Sequence, residues 1–108
     1  MAVLTNISPD LIVQRLLQAG QPHRIVLFGS RARESERPDS DYDLLIVEPS
    51  TLPRSTRSAA YYQALSDLPI EVEIIVFTPD EIQDWERVPQ AFVTTALREG
   101  RTLYERQV

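Results

Sequence analysis

The sequence predicts an α/β (α+β) fold, a small mixed β-sheet covered by helices. Two short apolar runs, Ile25 to Phe28 and Leu44 to Val47, are rich in β-branched and aliphatic residues and bounded by turn formers, as buried strands are. A third run, Ile70 to Phe77, alternates side chains between two faces. Stretches of helical spacing, opened by Ser, Thr and Pro and closed by Gly, lie between and around these strands. Strands interleaved with helices in this way build a sheet with helical cover. With 108 residues and no second-domain boundary, the chain is expected to form one domain over 1–108.

Ser8 caps the first helix and Pro9 takes its first position. Leu11, Ile12, Leu16 and Ala19 supply the apolar stripe, and Gly20 offers a stop. The first strand starts after Pro22. His23, the sole histidine, falls before that strand and suits a surface position. A charged stretch, residues 29–43, joins the first strand to the second. Glu48 to Pro53 holds two prolines and reads as a loop. Arg54 to Asp67 then reads as one amphipathic helix with Ala59, Tyr62 and Leu65 on one side. In the third strand Glu71, Glu73, Ile75 and Phe77 share a face, and Val72, Ile74 and Val76 share the other. Thr78, Pro79 and Glu81 form a capping box that opens a helix through Ile82 and Trp85. That helix breaks near Pro89, another spans Ala91 to Glu99, and Thr102 to Tyr104 make a short last strand.

Composition narrows the chemistry. There is no cysteine, so disulfides and thiolate metal sites are excluded and zinc is disfavoured. All eleven basic residues are arginine, and the formal charge of −5 argues against general nucleic-acid binding driven by counterion release. With neither a basic leader nor a membrane-length apolar run, a cytoplasmic location is expected.

The charged stretch carries the candidate site. Asp41 and Asp43 open the second strand, and a period of two turns both carboxylates to one face. Like charges at that spacing raise each other's pKa unless a cation neutralises them. Hard oxygen donors with no Cys or His nearby suit Mg2+ or Mn2+. At the other end, Gly29 and Ser30 leave the first strand where the chain must turn. Glycine permits close backbone approach, and a hydroxyl with exposed amides at a following helix start can hold phosphate oxygens. A phosphate cradle facing a metal-binding carboxylate pair is what transfer of a nucleotidyl group needs.

The pattern Gly29-Ser30, ten residues, Asp41-x-Asp43, with Arg33 and Ser40 inside it, resembles the signature of the DNA polymerase β-like nucleotidyltransferases. In particular it is similar to the minimal nucleotidyltransferases, the MNT antitoxins paired with HEPN toxins, over nearly the whole chain. The resemblance implies the nucleotidyltransferase palm fold. It also implies two Mg2+ ions on Asp41 and Asp43, with Gly29, Ser30 and Arg33 holding the nucleotide. Glu73 takes the place of the family's third carboxylate, six residues before the Thr-Pro proline, here Pro79. Considered alone, Glu71 and Glu73 also fit an exposed edge strand whose charges discourage aggregation.

By the same resemblance the substrate is ATP, and AMP passes to a hydroxyl, a tyrosine of a partner HEPN RNase toxin. Two positions depart from the family: Glu34 where it often has glycine, and Glu73 where it often has aspartate. The second leaves open a non-catalytic antitoxin that neutralises its partner by occlusion. Tyr61 and Tyr62 could stack on an adenine, but core packing or a partner surface accounts better for both.

Overall fold

The computed structural model describes residues 8–29 and 42–107. Helix α1 (Pro9–Ala19) leads to strand β1 (Arg24–Phe28), and β2 (Tyr42–Val47) follows. Two short helices, α2 (Arg54–Arg57) and α3 (Ala59–Ala64), cross to β3 (Val72–Phe77). Helices α4 (Pro79–Trp85) and α5 (Phe92–Glu99) then precede β4 (Arg101–Glu105). Among the described residues the strands form one mixed sheet in the order β3-β2-β1-β4. β1 is antiparallel to β2 and β4, whereas β2 and β3 run parallel, which is why helices must carry the chain between them.

The caps act as the sequence demands. Ser8 accepts the amide of Asp10 at 3.1 Å, and Thr78 and Glu81 exchange side-chain-to-backbone bonds at 3.2 and 2.9 Å. These bonds satisfy helix-start donors that otherwise have no intrahelical partner.

Side-chain alternation divides the core into two layers. Ile25, Leu27, Leu44, Ile46, Ile74 and Val76 face α1 and α3, where Ile12, Leu16, Tyr61 and Leu65 meet them. On the other face Val26, Leu45 and Phe77 pack with Val93 and Ala96, and Ile75 and Ile82 lie against them. Each fully buried aliphatic side chain contributes about 1.5–3 kcal/mol of transfer free energy. The sheet is therefore held from both sides, and its two faces have different occupants at the site end.

The expected helix over 54–67 is divided. Ser58 ends α2 and begins α3 with φ −87° and ψ −7°. Arg57, the last residue of α2, is anchored at this break. Its guanidinium donates to the Leu52 carbonyl at 2.9 Å, the Val76 carbonyl at 3.3 Å and Glu81 at 2.7 Å. The buried face keeps helical spacing across the break, through Arg57, Tyr61 and Leu65, so Tyr61, not Tyr62, joins Leu65 in the core, and Ala59 is exposed. The Tyr61 hydroxyl donates to Glu48 at 2.5 Å, while the Glu48 carboxylate also accepts the Gln21 amide at 2.9 Å. Burial first, and then that hydrogen bond, push the Tyr61 phenol well above its ordinary 10. The Tyr62 hydroxyl accepts the Ile74 amide at 2.8 Å. Together with Arg57 on the Val76 carbonyl, Tyr62 satisfies backbone groups of edge strand β3 and so blunts that edge against further pairing.

Candidate active site

The site is built on the face of the sheet that carries α4 and α5. Register fixes its centre: Asp43 of β2 stands beside Glu73 of β3 in the parallel ladder and opposite Phe28 of β1 in the antiparallel one. Neighbouring strands lie about 4.8 Å apart, so the two carboxylate-bearing residues are adjacent across the sheet and on one face. Glu73 is exposed, and Asp43 is half-buried. Being at the sheet edge, β3 also meets the requirement of the alternative account of its acids, so edge position by itself does not choose between the two. Register adds what edge position lacks, a specific carboxylate neighbour.

Gly29 closes the constellation from β1. Its φ of +78° lies in the left-handed region, where a Cβ costs about 1–2 kcal/mol. A Cβ here would also collide with the Asp43 carboxylate, reaching its Cγ at 3.2 Å and overlapping Oδ2 more closely still. Glycine is thus required twice, for the turn and for room beside Asp43. Backbone and carboxylate approach each other as a phosphate-and-metal site would need.

Of the residues singled out in the sequence, the structure brings together Gly29, Asp43 and Glu73. Asp41, Ser30 and Arg33 lie outside the described residues, as does Glu34. Among the described residues no group of three or more carboxylate or imidazole side chains gathers, and Asp43 with Glu73 is the acidic pair they contribute. Glu71 precedes β3, where its carbonyl accepts the Tyr42 amide at 2.9 Å. His23 sits at the far end of β1, donating its amide to the Val47 carbonyl at 2.7 Å. Both tyrosines weighed as base stackers belong to the helical layer over the opposite face, with their hydroxyls engaged as described.

One feature next to the candidate site is not foreseen from the sequence. Beside Gly29, a cleft of about 350 Å³ opens between the end of β1 and α5. Phe92, Thr95 and Glu99 line it from the helix, Gln90 from the preceding turn and Phe28 from the strand. Helical spacing of 92, 95 and 99 was visible in the sequence, but nothing local says that this stripe faces the Gly29 turn. Phe92 meets Phe28 edge-to-face with ring centroids 5.2 Å apart and remains 52% exposed.

Among the described residues, a mixed sheet with helices on both faces thus brings a left-handed glycine after β1 close to an acidic pair across β2 and β3. The family described as Polymerase beta, Nucleotidyltransferase matches residues 11–108, and the chain belongs to that family. No curated protein matches the chain. Among solved structures, a toxin-antitoxin with AMP-PNP is similar at TM-score 0.66 and 19% identity, covering 94% of this chain and 76% of its own. Two mutant forms of the toxin-antitoxin MntA-HpeT are similar at TM-score 0.63, with identities of 17% and 19%. They cover 94% of this chain and 75% and 76% of their own. At such identities the likeness is one of fold. Among the described residues no helix is long and apolar enough to cross a membrane.

Proposed function

We propose that the protein is a metal-dependent nucleotidyltransferase that moves AMP from ATP to a hydroxyl of a partner toxin, and so acts as an antitoxin. The observation that carries this is the register that sets Glu73 beside Asp43, next to a glycine that only an unsubstituted backbone could fill. Membership of the nucleotidyltransferase family supports the reaction class. Similarity to toxin-antitoxin structures, one of them with AMP-PNP, supports the kind of partner and the nucleotide. A HEPN-family RNase with a modifiable tyrosine is the partner we infer.

The donor set fits a hard divalent cation: carboxylate oxygens, with neither cysteine nor histidine among them. Asp41, Asp43 and Glu73 would hold Mg2+, with two ions in the full site and Mn2+ as a substitute. When bound, the metal supplies neutralisation of the polyphosphate and lowers the pKa of the acceptor hydroxyl. The chain's own groups position the reactants. Gly29 with Ser30 would bring backbone amides and a hydroxyl to the β and γ phosphates, and Arg33 would add a charged fork. The acceptor oxygen then bonds to the α-phosphorus in line as the α–β bridging bond breaks, and pyrophosphate leaves.

Glu73 also motivates a second reading. Its extra methylene, relative to aspartate, moves the carboxylate by ~1 Å, a misplacement that can cost ~100-fold in rate. A chain too slow to transfer AMP would neutralise its toxin by occlusion. The two are separated by incubating the product of the adjoining reading frame with the protein, ATP and Mg2+, and weighing it by mass spectrometry. Enzyme chemistry predicts mass increases in whole AMP units that Glu73→Gln abolishes while the protein complex persists, and that Glu73→Asp keeps or raises. Growth rescue by wild type and by Glu73→Gln alike, with no mass increase, would establish occlusion instead.

A further inference from the structure

The cleft beside Gly29 has no role in the chemistry described so far, yet it is continuous with the site through that glycine. Its volume of about 350 Å³ is in the range of small-ligand pockets, which pair apolar walls with a few polar groups that fix orientation. Its walls match this description. Phe28 and Phe92 are aromatic, and Gln90, Thr95 and Glu99 are polar. Because Phe28 packs edge-to-face and Phe92 is half exposed, Phe92 offers aromatic surface that the core does not use.

We propose that this cleft seats the purine base of the nucleotide, stacked on Phe92 and hydrogen-bonded by the Gln90 amide. The inference rests on the nucleotidyltransferase reading, and it extends that reading to the residues that select the nucleotide. With the β and γ phosphates at Gly29, the α-phosphate and the nucleoside must extend along one of the surfaces bordering that residue. Among the described residues, α5 presents such a surface with an exposed ring, Phe92. The amide of Gln90 places a donor beside an acceptor, as the amino and adjacent ring nitrogen of adenine do in complement. Along the helix, Phe92 and Glu99 are separated by about 10 Å at 1.5 Å per residue, long enough for base and sugar to lie side by side. Thr95 and Glu99 then accept from the ribose hydroxyls. The stacking surface explains why an aromatic residue is left half exposed at the first position of α5.

The test compares Mg2+-ATP with Mg2+-tripolyphosphate, which carries the phosphates without base or sugar, by calorimetry on the full chain. Wild type binds ATP more tightly than tripolyphosphate. Phe92→Ala removes ~10-fold from the ATP affinity, within the range measured for base–aromatic stacking, and leaves tripolyphosphate binding unchanged. Phe92→Trp, which keeps a stacking face, retains the ATP affinity, and Gln90→Ala weakens ATP but not tripolyphosphate. Equal losses for both ligands, or no loss in Phe92→Ala, would overturn the base seat while leaving the nucleotidyltransferase reading intact. If wild type bound neither ligand, the nucleotidyltransferase reading itself would fall, and the base seat with it. Thermal melts of each variant confirm that the fold is retained, as expected for a half-exposed position.

Discussion

Replacing Gly29 by alanine perturbs the site at the point where backbone and carboxylate are closest. Two separable costs follow from the structure. The φ of +78° imposes about 1–2 kcal/mol on any L side chain. A Cβ also overlaps the Asp43 carboxylate, which must turn away. Together these amount to about 1–3 kcal/mol, a fall of roughly 5–15 °C in Tm for a chain of this length. A double-mutant cycle in urea resolves them. In an Asp43→Ala background the Cγ and Oδ2 atoms are gone, and the new methyl meets the remaining Asp43 Cβ position at an ordinary 3.5 Å. Gly29→Ala should then cost only the conformational part, so the coupling between the two positions should be ~0.5 kcal/mol or more. The same cost in both backgrounds would show that Asp43 does not crowd Gly29, and the picture of a carboxylate pressed against a phosphate-binding turn would have to be given up.

Two further outcomes concern groups away from the site. Tyr61→Phe should destabilise by about 1.5–3 kcal/mol in urea, because it removes a partly buried hydrogen bond to the charged Glu48. Since folding raises the Tyr61 pKa above its ordinary 10, its contribution is fully present below pH 10 and fades as pH rises further. Alkaline loss of stability should be shallower in Tyr61→Phe. Glu81 has the opposite sign: the hydrogen bond from Arg57, against opposing desolvation and helped by the Thr78 amide and by the charges of Arg57 and Arg54, holds it at about 2 instead of 4.5. Its contribution is present above pH 4.5 and lost as pH falls towards 2, so Glu81→Gln should flatten the acid side of the Tm–pH curve in that window. An unchanged curve would mean that the Arg57–Glu81 contact does not form in solution.

Much of the site's frame was legible because it is local. Gly29 sits where an apolar strand must turn and Asp43 opens the next strand, so both could be read from their neighbours, whereas Glu73 was distinguished from Glu71 by the family resemblance. The two-face alternation of β3 was equally readable: Ile75 and Phe77 pack towards α4 and α5, Ile74 and Val76 towards α1 and α3. What was not legible depends on distant partners. Which face of the 54–67 segment turns inward is set by its tertiary partners, Arg57 reaching Val76 and Glu81 and Tyr61 reaching Glu48, so Tyr61 and not Tyr62 enters the core. The parallel register that sets Asp43 beside Glu73 is likewise a property of the assembled sheet, as is the cleft under α5.

The proposed function requires that Gly29, Asp43 and Glu73 form the edge of a metal–nucleotide site. It is tested most directly by titrating ATP into the protein by calorimetry, first with Mg2+ and then with EDTA, for wild type, Asp43→Asn and Glu73→Gln. Binding is expected in wild type with Mg2+ and should be lost in EDTA. Asp43→Asn should weaken it at least tenfold, with the fold retained, since asparagine keeps the shape of the side chain and removes a like charge beside Glu73. Glu73→Gln, farther out on the edge strand, should weaken it less. ATP binding of equal strength in EDTA, or unaltered in Asp43→Asn, would contradict the assignment of this sheet edge as a metal-dependent nucleotide site.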